Sequence, residues 1–328
     1  MEHRKVGKWG LRISEIGLGS WLTYGGSVDE QSSIDQLLHA FDLGINFFDT
    51  ANVYAGGAAE IAVGKAVKQL RRDAVVVATK VFFPMADGPN DRGLSRKHVF
   101  EQCHASLKRL NMDYIDLYQC HRYDADVPMD ELVRAMDDLT RQGKILYWGV
   151  SEWTAGQIED AVETARRLNA PPPISNQPFY NMLDRSIESE VIPMCRRLGL
   201  GQVIFSPMAQ GILTGKYKPG VPPPPGTRAA DDRYNVFMLN RGLMSDQVLE
   251  GVQRLGELAN ELNLTTAQLA LAWCLRLGEV SCVIVGATKS SQLDENVKAS
   301  SVKLSRDVLE RIDRALGSLY RLDGSGLS

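Results

Sequence analysis

The sequence predicts an α/β fold, a (β/α)8 TIM barrel with an N-terminal β-hairpin and a long loop after the seventh barrel strand. Eight short apolar, β-rich runs alternate with amphipathic helical stretches along 328 residues. Their ends fall at 19, 49, 80, 121, 151, 177, 207 and 286. Most are about 30 residues apart, the length of one strand, one crossover helix and two loops. The runs are continuously apolar, as in parallel strands covered on both faces. A doubly wound open sheet is the other arrangement these units allow.

In chain order, Arg4–Val6 and Leu11–Ile13 flank GKWG and read as a hairpin that could plug the barrel bottom. The eight strand candidates are Ser14–Gly19, Ile45–Asp49, Val75–Lys80, Tyr114–His121, Ile145–Ser151, Ile174–Gln177, Val203–Pro207 and Cys282–Gly286. Between them, Ile34, Leu37, Leu38 and Phe41 form one helical stripe facing a sheet. Thr154 with Gln157, and Thr265 with Gln268, have capping-box spacing. Ser95, Ser245 and Ser305 stand at simple N-cap positions, and Gly44 and Gly143 at left-handed C-terminal stops. Lys216–Tyr234 contains four consecutive prolines, which forbid helix and interior strand. That segment is a spacer or, because it follows a strand end, a lid. The whole chain, 1–328, is expected to form one barrel domain.

Composition narrows the function. Apolar residues make up 44% and charged residues 23%, as in an ordinary globular protein. The net charge of −3 gives no basic footprint for nucleic acid. No run approaches the roughly 20 apolar residues of a membrane span, and the N-terminus has no apolar signal core, so a cytoplasmic protein without membrane insertion is expected. Five scattered cysteines without C-x-x-C suit reduced thiols. No G-x-G-x-x-G, G-x-S-x-G or H-E-x-x-H occurs, and no metal-ligand spacing. Gly211–Tyr217 only superficially resembles a phosphate loop.

In a barrel, the C-terminal ends of the strands build the site. Here they carry Asp49 with Tyr54 five residues on, then Lys80, His121, Ser151, Asn176 and Gln177, and Ser206 and Pro207. Each of the first four has a plain structural reading alone, but they converge on three adjacent units. A lysine cation beside a tyrosine favours the phenolate and lowers its pKa from about 10. An aspartate fixes the lysine, whose unpaired burial would be costly. A histidine can hydrogen-bond a substrate oxygen. Asp49, Tyr54, Lys80 and His121 can therefore protonate a carbonyl oxygen as hydride reaches its carbon. None supplies hydride, which implies a nicotinamide cofactor. Ser290 and Ser291 open a helix after the last strand, an N-terminus suited to phosphate or simply a capped helix.

From RKVGKWGLRISEIGLGSW to GATKSSQLDEN the sequence resembles the aldo-keto reductases. It is most similar to the branch that includes the voltage-gated potassium channel β subunits and their plant and bacterial relatives. GINFFDTANVYAGGAAE, RGLSRKH, GVSEW, SPMAQGILTGKY and QLALAWCLR carry the resemblance. It implies Tyr54 as general acid, tuned by Lys80 and Asp49, with His121 orienting the carbonyl. It implies Ser151, Asn176 and Gln177 at the nicotinamide carboxamide, with Ser20, Trp21 and Asp49 on the opposite rim. Tyr180 would be the aromatic beneath the nicotinamide. Ser206, Pro207, Met208, Ala209, Gln210 and Gly211 would line the pyrophosphate, with Leu213, Lys216 and Arg228 adding contacts. Gly286, Thr288, Gln292, Glu295 and Asn296 would hold the adenosine end.

Channel-type relatives carry Asn where His121 stands, which favours a working reductase. Met208 replaces a usual leucine, and Glu152 stands where some relatives have arginine or asparagine. Gln292 occupies a position where many relatives use arginine for the 2′-phosphate. NADP(H) is therefore implied with a weaker preference, and NAD(H) is the alternative. The expected function is reduction of aldehydes or ketones to alcohols. The alternative is a cofactor-binding, redox-sensing regulatory subunit. A small carbonyl substrate and a homo-oligomer, dimer or tetramer, follow from the resemblance. Trp21, Tyr24, Phe82, Phe83 and Trp153 would build the substrate pocket, which suits small or aromatic aldehydes.

Overall fold

The computed structural model describes residues 1–22, 24, 28–320 and 322. Among them, strands β1 (His3–Lys5) and β2 (Arg12–Ser14) pair antiparallel, with Arg4 opposite Ile13. Eight further strands close a parallel barrel: β3 (Ile16–Gly19), β4 (Phe47–Asp49), β5 (Val76–Val81), β6 (Ile115–Cys120), β7 (Ile145–Ser151), β8 (Ser175–Gln177), β9 (Gly201–Ile204) and β10 (Val280–Val285). Neighbours in sequence are neighbours in the barrel, and β10 closes on β3 with Ile284 opposite Gly17. All eight expected strand segments overlap these, and the open-sheet alternative is excluded.

Helices α1 (Glu30–Asp42), α2 (Ala58–Val67), α3 (Arg96–Leu110), α4 (Met129–Arg141), α5 (Ala155–Arg167) and α6 (Val191–Leu198) each link consecutive strands. The longer β9–β10 connection carries α7 (Val236–Leu239), α8 (Asp246–Glu261) and α9 (Thr266–Leu275). Helices α10 (Ser290–Asn296) and α11 (Arg306–Leu316) follow the last strand. Local sequence signals set the helix ends. Ser95, Ser245 and Ser305 accept from the backbone N–H three residues on. The capping boxes of Thr154 with Gln157 and Thr265 with Gln268 form in full.

Two cores result from the strand alternation. Outward residues such as Leu18, Phe48, Val77, Tyr118, Trp148 and Ile204 pack against the helices. Inward residues Phe47, Val76, Ala78, Leu117, Val203 and Cys282 fill the lower barrel together with Val6 and Ile13 of the hairpin. The hairpin is thus the barrel floor. Arg4 anchors it, donating to Glu15 Oε1 at 2.5 Å and to the carbonyl oxygens of Leu275, Leu277 and Val280 at 3.0, 3.1 and 2.8 Å. Among the described residues no helix is long and apolar enough to cross a membrane.

Helices α2 and α3 meet through Gly64. A Cβ there would lie 2.3 Å from the Leu110 carbonyl oxygen. Gly64→Ala is expected to cost about 1–3 kcal/mol. Gly156→Ala on α5, where no atom of the described residues would lie within 4 Å of the added Cβ, is expected to be neutral or to stabilise by up to about 1 kcal/mol. Urea unfolding of both variants checks this; equal midpoints would contradict the close-contact account.

Candidate active site

Above the apolar filling, the inward strand positions become polar. Asp49, Lys80, Gln119 and Gln177 follow Phe47, Ala78, Leu117 and Ser175 two residues earlier on their strands. Lys80 is wholly buried, yet all three of its ammonium donors find acceptors. Nζ donates to Asp49 Oδ2 at 2.6 Å, to the Thr50 carbonyl oxygen at 2.9 Å and to the Tyr54 hydroxyl at 3.4 Å. The other Asp49 oxygen accepts from Gln177 Nε2 at 2.9 Å and Gln119 Nε2 at 3.4 Å. An unpaired ammonium at this depth would be prohibitively costly, and this arrangement answers that cost.

Tyr54 hangs beyond β4 on a tight turn in which Ala55, Gly56 and Gly57 take φ of 49°, 61° and 98°. His121 directly follows β6 with its ring edge-on to Tyr54, centroids 5.7 Å apart, and to Phe83 at 4.8 Å. Its Nδ1 is buried without a hydrogen-bond partner among the described residues.

The electrostatics separate these groups. Burial opposes the Lys80 charge, but Asp49 and Tyr54 outweigh it and the pKa rises. Burial pushes the Tyr54 hydroxyl up; Lys80 pulls it down, Asp49 pushes it up again, and the net shift is upward. The expected downward shift of Tyr54 is thus corrected: the lysine acts in that direction, but desolvation is larger. Burial, with Lys80 and Arg122 nearby, drives His121 well below the ordinary histidine value, so it is a neutral imidazole at pH 7.

These groups sit at one end of a cavity of about 1960 Å³. Asp49, Tyr54 and His121 line that end, with Ser151, Gln177, Trp21, Tyr24 and Phe83. The loop after β9 contributes Ser206, Pro207, Met208, Gln210 and Gly211, then Lys216. Gly286, Thr288, Gln292, Glu295 and Asn296 line the far end. The Pro-rich segment reaches across. Arg228 donates to Gln210, which donates to Ser206, and the Arg228 guanidinium lies 5.9 Å from the Trp21 ring centre. Of the two readings for that segment, the geometry is that of a cover, with Pro225–Arg228 on the cavity wall.

Backbone strain concentrates here. Among the described non-glycine residues with positive φ, Asn111, Asn169 and Asn263 end helices, a position asparagine tolerates. The other six, Leu22, Ala55, Glu152, Ser206, Ala209 and Gln210, all lie in loops after barrel strands at the mouth.

Several expected site residues lie elsewhere. Asn176 alternates away from Gln177 and donates to Gln202 at 3.3 Å on the helix-facing side of the barrel. Ser20 is buried and donates to Thr50 at 2.9 Å. Ala209 and Leu213 are fully buried behind the β9 loop. Phe82 packs edge-on behind Phe83, and Trp153 is buried against Tyr123. Lys80 stands behind the cavity wall, reaching it only through Asp49 and Tyr54. Tyr180 is also away from the cavity: fully buried, it packs on Trp273, accepts from Arg276 at 2.9 Å and donates to Glu188. The aromatic that the β9 loop brings to the cavity wall is Phe205, directly before Ser206. The strand-end rule that selected Ser206 could have found it. Arg122, beside His121, was also missed.

Among the described residues no group of three His, Cys, Asp or Glu side chains could hold a metal ion. For a dinucleotide the walls fit better. The cavity exceeds the roughly 300–1,000 Å³ of ordinary small-molecule sites. Lys216, Arg228 and Lys289 line it with no ion pair among the described residues. Gly211 has φ of +95°, and a Cβ there would crowd Lys216 Nζ at 3.2 Å. Gln292 Oε1 is already occupied, accepting from Thr288 N at 2.8 Å and Lys289 N at 3.3 Å.

Comparison with known proteins agrees with this arrangement. A model described as the aldo/keto reductase family matches residues 15–316. An Arabidopsis thaliana protein named "Probable voltage-gated potassium channel subunit beta" is 45% identical over 323 residues, 97% of each chain. A rice protein of the same name, from Oryza sativa subsp. japonica, is 44% identical over the same share.

Asp49→Ala is expected to destabilise by about 3–5 kcal/mol, because it strands the Lys80 charge. Adding Lys80→Met should recover part of that loss. Chemical denaturation of the single and double variants reads it; strictly additive losses would show that the pair does not act as a unit.

Proposed function

The chain belongs to the aldo/keto reductase family, and from that premise we propose that it is an NADPH-dependent oxidoreductase reducing aldehydes or ketones to alcohols. One observation carries this reading: a wholly buried ammonium, Lys80, touches both a carboxylate and the hydroxyl of Tyr54 on the cavity wall. When bound, the nicotinamide cofactor supplies the hydride that forms the new C–H bond. Tyr54 gives its hydroxyl proton to the carbonyl oxygen. Lys80 steadies the phenolate left behind, which regains a proton from solvent. Asp49 keeps Lys80 charged and in place. His121, a neutral imidazole, orients the carbonyl and is not the acid.

Ser151 and Gln177 are the proposed partners of the carboxamide, and Phe205 the aromatic against the nicotinamide ring. Lys216 and Arg228 would meet the pyrophosphate. The preference for NADPH rests on Lys289, a cation at the far end beside Gln292, whose own acceptor is spent on the backbone. The names of the plant relatives favour a second reading, a redox-sensing regulatory subunit that binds cofactor and acts through a partner.

NADPH oxidation with a reactive aromatic aldehyde separates the two. Tyr54→Phe is expected to lower kcat by about 10²–10⁴-fold while cofactor still binds. NADPH should bind more tightly than NADH, with the gap narrowed in Lys289→Ala. Wild-type turnover no faster than Tyr54→Phe would favour the regulatory subunit. The pH profile supplies an independent check. An acid with a raised pKa stays loaded until pH climbs through it, and a histidine with a depressed pKa is neutral throughout the physiological range. The reductive kcat/KM should therefore be flat from about pH 6 to 9 and fall only above, with no inflection near 6.5.

A further inference from the structure

Three of the four unpaired cations named on the cavity wall, Lys216, Arg228 and Lys289, fall where phosphates would lie. The fourth, Arg122, does not. It follows His121 directly and lines the reacting end of the cavity. Its Nη1 donates to the His121 carbonyl oxygen at 2.5 Å, and its guanidinium sits 5.6 Å from the Phe83 ring centre. Phe83 in turn packs edge-on against His121. The guanidinium is therefore held at a fixed place, one aromatic ring from the imidazole. No carboxylate pairs with it among the described residues. Glu152, whose carboxyl the Arg122 charge pulls down against the larger effect of burial, lies beyond ion-pair distance and has Oε1 committed to the Phe179 backbone N–H at 2.6 Å. A planar, permanently charged fork left open on a cavity wall is complementary to a carboxylate.

We propose that Arg122 is a specificity-determining residue and that the substrates of this site are carbonyl compounds bearing a carboxylate, such as a short semialdehyde acid or a carboxylated aromatic aldehyde. The carboxylate is held by the free guanidinium N–H groups, Phe83 packs against the intervening carbons, and the carbonyl reaches Tyr54 and His121. This inference rests on the reductase reading for its chemistry but not for its binding.

Two measurements test it separately. The first is the kcat/KM ratio of 4-carboxybenzaldehyde to its methyl ester in wild type, Arg122→Gln and Arg122→Lys. The ratio should fall about 10–100-fold in Arg122→Gln and be partly restored in Arg122→Lys. A purely structural role would depress both substrates and leave the ratio unchanged, which would overturn the proposal. The second needs no turnover: binding of benzoate against benzamide to the NADPH-loaded protein by tryptophan fluorescence. Benzoate should bind about 10-fold tighter or more, and Arg122→Gln should abolish the difference. Equal binding in wild type would overturn the proposal while leaving the reductase reading intact. Selective benzoate binding without reduction of any carbonyl would uphold the anion site and remove the reductase reading instead.

Discussion

A single ammonium group orders the upper half of this barrel. Lys80 lies at full depth, so it must be surrounded by acceptors or lose its charge. Asp49 and Thr50 from β4 and its loop meet it directly, and Gln119 from β6 and Gln177 from β8 hold Asp49 from the other side. Four strands thus contribute to one charged cluster in a place where leucine and valine would pack at less cost. Buried ion pairs of this kind add little net stability. Their presence is better understood as the condition for holding the Tyr54 hydroxyl against a fixed positive charge.

The rest of the mouth carries the strain that such a site entails. Left-handed non-glycine residues, each costing on the order of 1–3 kcal/mol, occur in the loops after β3, β4, β7 and β9. The lower barrel offsets them with a predominantly apolar core floored by the hairpin. Stability and chemistry are divided by height within one barrel: Phe47 below Asp49, Leu117 below Gln119, Ala78 below Lys80.

Much of this was legible in the sequence because it follows local rules. Strand spacing, hydroxyl caps and the strand-end principle located the eight strands and the cluster of Asp49, Tyr54, Lys80 and His121. What escaped was set by tertiary context. Asn176 and Gln177 are adjacent in sequence, yet the pleat sends them to opposite faces of β8. Tyr180 stands three residues past a polar strand end, but Arg276 and Glu188 capture its hydroxyl in the outer layer. Trp153 and Phe82 were near the mouth in sequence and became packing. The sign of the Tyr54 shift depends on burial, which no residue pattern encodes.

The floor hairpin also bears on how the chain reaches this state. The amide of Glu2 donates to Ser300 at 3.0 Å across 298 positions, Ser300 donates in turn to buried Glu15, and Arg4 grips carbonyls more than 270 positions away. The barrel seam between β3 and β10 spans a similar separation. During synthesis β3 must therefore wait, with one edge unpaired, until β10 has emerged. Such distant closure makes for slow maturation and leaves an adhesive strand edge exposed to neighbouring nascent chains in the interval. Arg4 and Glu15 stand ready for that event, so side chains made early are fixed by a segment made more than 270 residues later.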